Sequence, residues 1–268
     1  MAKYDVLKMY FGDDYIVTPN IIVHQPSIGD IIEYGELEFW NTVAIICGNS
    51  TSFRLQLWDM GVDWNEITDF QLFASFIPSL PLERTKIFFG DLDLTKFKAI
   101  DDEEGNLVLV YLLNPEIQIN EDVYNNMIGY LRLMLNYYPK VEKAKNKATK
   151  EALIWEDEMN VKNAERLSKN DKFRHSTLFP LISAALSHPG FKYKKSELKA
   201  VGIFEFMDSI RRLQVYESAT SLMTGMYSGM LDVSKIKLDK ELNWARDMYD
   251  EGNQSVASPK KDEQKSSK

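Results

Sequence analysis

A single cysteine, Cys47, in a chain of 268 residues rules out an intramolecular disulfide. Its setting in VAIICGN reads as a small buried hydrophobe suited to a reducing compartment. Histidine is almost as scarce: His24, His175 and His188 stand apart, with no H-E-x-x-H spacing and no cysteine partner, so no metal site is expected. No apolar run approaches the roughly 18 residues that span a bilayer, and the opening MAKYDVLKMYFGDDY lacks the basic stretch and apolar core of a secretory leader. Positive charge is outweighed as well. The 32 Lys and Arg face 40 Asp and Glu, for a formal charge of −8, which argues against a protein whose main business is gripping a phosphate backbone. Walker loops, G-x-G-x-x-G and G-x-S-x-G are all missing. These absences lead to the expectation of a cytoplasmic protein that is not an enzyme, uses no cofactor and binds neither nucleic acid nor membrane.

What is present suits a globular chain. Hydrophobic residues make up 44% and charged residues 27% of the sequence, enough for one large domain or two small ones, each with a proper core. The fold class expected is α+β, predominantly helical. Residues 4 to 24 read as a hairpin of YDVLKMYF and NIIVHQ across GDDYIVTP. A helix from Ser27 to about Ile46 follows, with Ser27 and Asp30 placed for a capping box and with Ile28, Ile31, Ile32, Gly35 and Phe39 near one face. Two short helices come next: one capped by Ser50 or Thr51 and closed by Gly61, the other capped by Thr68 or Asp69 and ended by Pro78 and Pro81. KIFFGDLDLTKFKAI and NLVLVYLL read as a second hairpin turning at DDEEGN, with Gly105 in the turn.

From Glu121 the period is helical, with Val123, Met127, Ile128, Leu131, Met134 and Leu135 on one face until Pro139. A mixed-charge helix spans KVEKAKNKATKEALIWEDEMNVKNAERLSKND, thinly buried and projecting. STLFPLISAALSHPG, GIFEFMDSIRRLQVYESATSLMTGMYSG and a short DKELNWARDMY capped by Asp239 complete the helices. The closing EGNQSVASPKKDEQKSSK has the composition of a disordered tail. The division expected is a mixed domain over 1–120, a helical domain over 121–250 and a tail over 251–268.

Four groups of residues invite a chemical reading. Asp91 and Asp93 in DLDLT match the D-x-D-x-T of haloacid dehalogenase-class phosphatases, where the first carboxylate attacks phosphorus and the second moves the proton. The usual glycine before the threonine is absent, however, and so is a downstream acidic pair after another strand, so a structural role at a strand end is expected. Glu33, Glu36 and Glu38 are expected to line a solvent face. Lys140, Lys143, Lys145, Lys147 and Lys150, interleaved with Glu142 and Glu151, also read as a solvated face. Met207, Tyr216, Met223, Met226, Tyr227 and Met230 cluster within two dozen residues. They read as core, or as an adaptable apolar surface for a partner.

NIIVHQPSIGDIIEYGELEFW resembles the N-terminal segment of tail assembly chaperones of long-tailed bacteriophages, where a short β element leads into a P-[ST]-[IV]-G-[DE]-[IL]-[IL] helix start, here Pro26 to Ile32. LWDMGVDWNEITDFQLF, GIFEFMDSIRRLQ and SGMLDVSKIKLDKELNWARDM are similar to segments of larger proteins encoded among the tail genes of phages of Gram-positive hosts. The resemblance implies a protein of the infected host's cytoplasm that coats the tape-measure protein, recruits tail-tube subunits and is absent from the finished particle. Self-association is compatible with that role. It also implies manufacture in two lengths by ribosomal slippage, for which Lys260 and Lys261 mark the place, although on sequence alone they read as a solvated terminus. A virion component of the neck, tail or baseplate is the alternative, and a phosphatase using Asp91 and Asp93 the third.

Overall fold

A computed structural model describes residues 4–170, 176–229 and 241–249, with only the backbone at 168–170. The chain divides into a larger unit, Leu7–Met207, and a smaller one, Met1–Val6 with Asp208–Lys268. The boundary expected at 120/121 therefore falls inside the larger unit. Among the described residues helix outweighs strand, 56% to 9%, and the two sheets are small and antiparallel, so the fold is α+β and predominantly helical.

The chain opens with a helix, α1 (Val6–Tyr10), where a strand was expected. One residue per turn explains this: Met9 is buried while Leu7 and Phe11 are exposed, which no alternating strand face would give. The hairpin is real but displaced. β1 (Tyr15–Thr18) pairs with β2 (Ile21–Val23) across Pro19 and Asn20, with a register irregularity between Ile16 and Thr18. Tyr15 stacks on Tyr130 at a 4.4 Å centroid distance.

The single helix expected from Ser27 is two, α2 (Ile28–Tyr34) and α3 (Glu36–Cys47), broken at Gly35, whose φ of 96° suits glycine. The capping box is present: the Asp30 N–H donates to Ser27 Oγ, and Ser27 N–H donates to Asp30. Ile28, Ile31 and Phe39 are buried, but Ile32 is 50% exposed. The reason for the PSIG motif lies some 170 residues away in sequence. Ile28 N–H donates to Val201 O at 2.9 Å and Ile203 N–H donates to Pro26 O at 2.9 Å. A Cβ on Gly29 would stand 2.8 Å from the Lys199 carbonyl oxygen. A glycine lets the turn at Leu198–Ala200 close on the helix start.

Next come α4 (Arg54–Asp59), α5 (Asp69–Phe76) and α6 (Leu82–Phe89). Thr68 and Gln71 form the second capping box, on α5; no side chain caps α4. The segment KIFF, expected in a strand, is the end of α6, because Thr85, Phe88 and Phe89 are buried at i, i+3 and i+4. Only Phe97–Asp101 forms a strand there, β3, in a sheet of order β3-β4-β5 with β4 (Leu107–Tyr111) and β5 (Gln118–Ile119).

α7 (Glu121–Met134) is capped by Asn120 and buries Met127, Ile128, Leu131 and Met134. It stops before Pro139, where Asn136 turns to a φ of 50°. Arg132 of α7 donates at 2.9 Å to the carbonyls of Cys47 and Gly48, satisfying the end of α3. Cys47 itself is buried as expected, and burial pushes its thiol up to about 12.

α8 (Lys147–Asn170) packs its first half on a second cluster of Leu57, Trp64, Leu72, Ala144 and Ile154. Asn160 to Leu167 are all exposed, consistent with a projecting end. α9 (Leu178–Ser187) starts where Glu36 accepts from Leu178 N–H at 2.6 Å and from the Ser176 hydroxyl. Glu38 pairs with Arg84. Two of the three glutamates expected on a solvent face therefore hold the fold together instead. α10 (Ile203–Tyr227) begins in the larger unit with Ile203, Phe204 and Phe206 buried.

In the smaller unit, residues 242–249, expected within a short helix, form turns and bends instead. The Asp239 cap and the tail from 251, with Lys260 and Lys261, lie outside the described residues. Among the described residues no helix is long and apolar enough to cross a membrane.

Candidate functional site

At 100° per residue, positions 216, 220, 223 and 227 of α10 fall within about 30° of one line along the helix. Tyr216, Thr220, Met223 and Tyr227 occupy them and all four are exposed, Tyr227 at 87%. Met226 lies about 80° round from Tyr216 and is half-buried, as is Met207, which belongs to the larger unit. Met230 is outside the described residues. The six residues singled out by composition thus separate: Tyr216, Met223 and Tyr227 share a solvent-facing stripe, and Met226 sits at its margin.

Sequence reasoning missed a further member, Trp244. Its ring meets Tyr216 edge-on at 5.7 Å and it is half exposed. The backbone that carries it is pinned to α10, because the Arg212 guanidinium donates to the carbonyls of Trp244 and Arg246, each at 2.9 Å. Tyr249 donates to Asp208 Oδ1 at 2.7 Å, and Arg211 stands 5.3 Å over the Tyr249 ring. Trp244 lies 28 positions beyond Tyr216, outside any helical period, so no pattern in the sequence links the two. The resulting strip of two tyrosines, a thioether and an indole carries no formal charge. It can bury apolar surface and donate through phenol and indole edges.

Asp91 and Asp93 each have a partner of their own. The Asp91 side chain is 92% exposed and pairs with Lys86 at 3.3 Å. Asp93 caps the short 3-10 turn Leu94–Lys96, accepting from Thr95 N–H at 3.0 Å and from Thr95 Oγ1 at 2.7 Å. Among the described residues neither stands at the end of a parallel strand, since the two sheets there are antiparallel. With Mg²⁺ present, hydrolysis of a generic phosphate monoester should stay at background. Asp93→Ala should instead cost about 1 kcal/mol in a thermal melt, the usual loss of a cap. Turnover that disappears in Asp91→Asn would install the phosphatase.

A cleft of about 450 Å³ is lined by residues that include Thr51, Arg54, Lys140, Glu142 and Asp157. Its buried cation, Arg54, is already committed. Arg54 Nε and Nη2 both donate to Asp157, the second at 2.7 Å, and Nη1 donates to Glu142 at 2.6 Å. These hydrogen bonds, Asp157's foremost, push the guanidinium above its ordinary value. The Arg54 hydrogen bond, followed by that of Lys140, holds the Glu142 carboxyl below the usual range. Lys150 pairs with Asp63 beside the same cluster, and its side chain is only 21% exposed. It is a docking residue, unlike the exposed Lys140 and Lys147 of the expected solvated face.

His24 pairs with Asp14 at 2.9 Å, and His188 Nδ1 accepts from Gly190 N–H at 2.9 Å; His175 lies outside the described residues. Among the described residues no three His, Cys, Asp or Glu gather as a metal site. No protein-family model matches this chain, and neither does any curated protein or solved structure.

Proposed function

We propose that this chain is an assembly protein that works by binding, and that it acts as a tail assembly chaperone of a long-tailed bacteriophage in the host cytoplasm. It holds an apolar segment of the tape-measure protein while tail-tube subunits are recruited. The single observation that carries the binding reading is the exposed, uncharged strip of Tyr216, Met223, Tyr227 and Trp244. Aromatic residues dominate binding energy at protein interfaces, and methionine adapts to irregular apolar partners. The likeness of the Pro26–Ile32 segment to phage chaperones supports the finer identity.

Co-expression with the tape-measure protein tests it. The parent chain should raise that protein's solubility and co-purify with it. Tyr216→Ser, Met223→Ser and Tyr227→Ser combined should weaken capture about tenfold or more, since exposed anchors each contribute on the order of 1 kcal/mol or above. Undiminished capture by the triple variant would remove the strip from the interface. Failure of the parent to bind, together with its presence in purified virions at fixed stoichiometry, would replace the chaperone with a structural tail component.

A further inference from the structure

The hairpin of β3 and β4 ends in nine consecutive exposed residues, Lys98 to Asn106. β3 is the outer strand of its sheet, and among the described residues no strand pairs with its other side. Its pairing with β4 runs through five consecutive positions without a bulge, and it contains no proline. Two of the usual protections of a sheet edge are therefore missing.

The outward-facing groups can be assigned. Leu112 N–H donates to Lys96 O and Asp102 N–H donates to Asn106 O, both at 2.9 Å. Even-numbered residues of β3 thus spend their backbone groups on β4, and by antiparallel alternation Ala99 and Asp101 present theirs outward, while the Phe97 N–H donates to Leu94 O. Lys98, Ile100 and Asp102 share one face of the ribbon.

We propose that β3 pairs with β3 of a second copy of this chain, antiparallel about a two-fold axis at Ile100. This register sets Ile100 against Ile100, Lys98 against Asp102 of the second copy, and Asp102 against its Lys98. Ala99 and Asp101 then exchange the outward backbone hydrogen bonds. An apolar centre flanked by two opposite-charge pairs is self-complementary, as a closed two-fold interface requires. The neighbouring registers are poorer. Centring on Ala99 opposes Phe97 to Asp101 and strands Lys98 on Ile100, whereas centring on Asp101 places two carboxylates face to face. Hydrogen bonds from Asn106 hold the Asp102 carboxyl below the usual range, so it is charged at neutral pH. The interface lies within the larger unit and does not depend on the strip of α10.

The full-length protein should sediment as a monomer–dimer equilibrium through the micromolar range. Lys98→Glu puts like charges together twice per dimer and should raise the dissociation constant about tenfold or more, with the circular dichroism of the parent retained because residue 98 is exposed. Ile100→Cys should form a disulfide-linked dimer under mild oxidation, since opposed residues of a non-hydrogen-bonded pair lie within disulfide reach. Ala99→Cys should not, because residue 99 faces residue 101. The native Cys47 is buried and adds no background. A parent that is monomeric at every concentration overturns the proposal. So does a dimer that ignores Lys98→Glu and cross-links in the Ala99→Cys variant as readily as in the Ile100→Cys variant.

Discussion

Ile31→Asp should abolish or severely weaken cooperative folding of the larger unit, while Ile32→Asp should leave it almost intact. The two isoleucines are adjacent on α2, but Ile31 has no solvent exposure and Ile32 is 50% exposed. A carboxylate at 31 must either give up its hydration or take up a proton, at a cost of several kcal/mol. The lost apolar burial adds about 1.5–3 kcal/mol. In a unit of this size each kcal/mol lowers the melting temperature by about 2–4 °C, so a fall of about 10 °C or more is expected for Ile31→Asp. For Ile32→Asp the change should stay near about 0.5 kcal/mol, as at other exposed sites. Differential scanning calorimetry on the two variants decides it. Equal melting temperatures for Ile31→Asp and the parent would mean that this face is a surface.

Arg54→Met should release α8 from the cluster built around Trp64. The Arg54 side chain is 8% exposed and is the sole cation bonded to Asp157 among the described residues, besides holding Glu142. Its removal leaves Asp157 without that cation and Glu142 with only the exposed Lys140. Breaking a fully buried pair costs about 3–5 kcal/mol, but Glu142 and Asp157 keep 29% and 26% exposure, so about 2–3 kcal/mol is expected here. Amide hydrogen exchange should accelerate through α8 and leave α7 protected. Arg54→Lys should rescue little, because one ammonium cannot replace a planar fork that spans two carboxylates.

Acid should mimic the mutation. Lys150's hydrogen bond, followed by that of the Asn65 backbone, lowers Asp63, as Arg54 lowers Glu142. Both groups bind fewer protons folded than unfolded, so their contribution is complete above the ordinary carboxylate pKa of about 4 and fades as pH falls through the depressed folded values. Exchange in α8 of the parent should therefore rise in that acid window, and the rise should be smaller in Arg54→Met. Unchanged α8 protection in the variant at neutral pH would show that the apolar cluster alone holds the helix.

The amino-acid sequence by itself determined the features closed within one or two turns of chain. The capping box of Ser27 with Asp30 was readable because donor and acceptor lie three residues apart, whereas for α5 the sequence left Thr68 or Asp69 as the cap and the structure selects Thr68, paired with Gln71. The cap at Asn120 uses the same three-residue spacing, and the turn at Asp102–Asn106 follows from its polar residues and Gly105. The helical stripe of α7 was readable because its burial repeats with the backbone's own period. Only the tertiary structure decided which face of an amphipathic segment is covered, and by what. Ile31 and Ile32 are identical in composition and differ in what packs over them. Glu36 reads as a solvent residue until the start of α9 arrives from 142 positions away, and Arg54 as an ordinary helix residue until Asp157 arrives from 103. The strip on α10 was half legible, since Tyr216, Met223 and Tyr227 follow the helical period but Trp244 reaches Tyr216 through a turn pinned by Arg212. Local hydrogen bonds are written in neighbouring residues, whereas contacts between distant ones depend on how the whole chain closes its core, and no short stretch of sequence carries that.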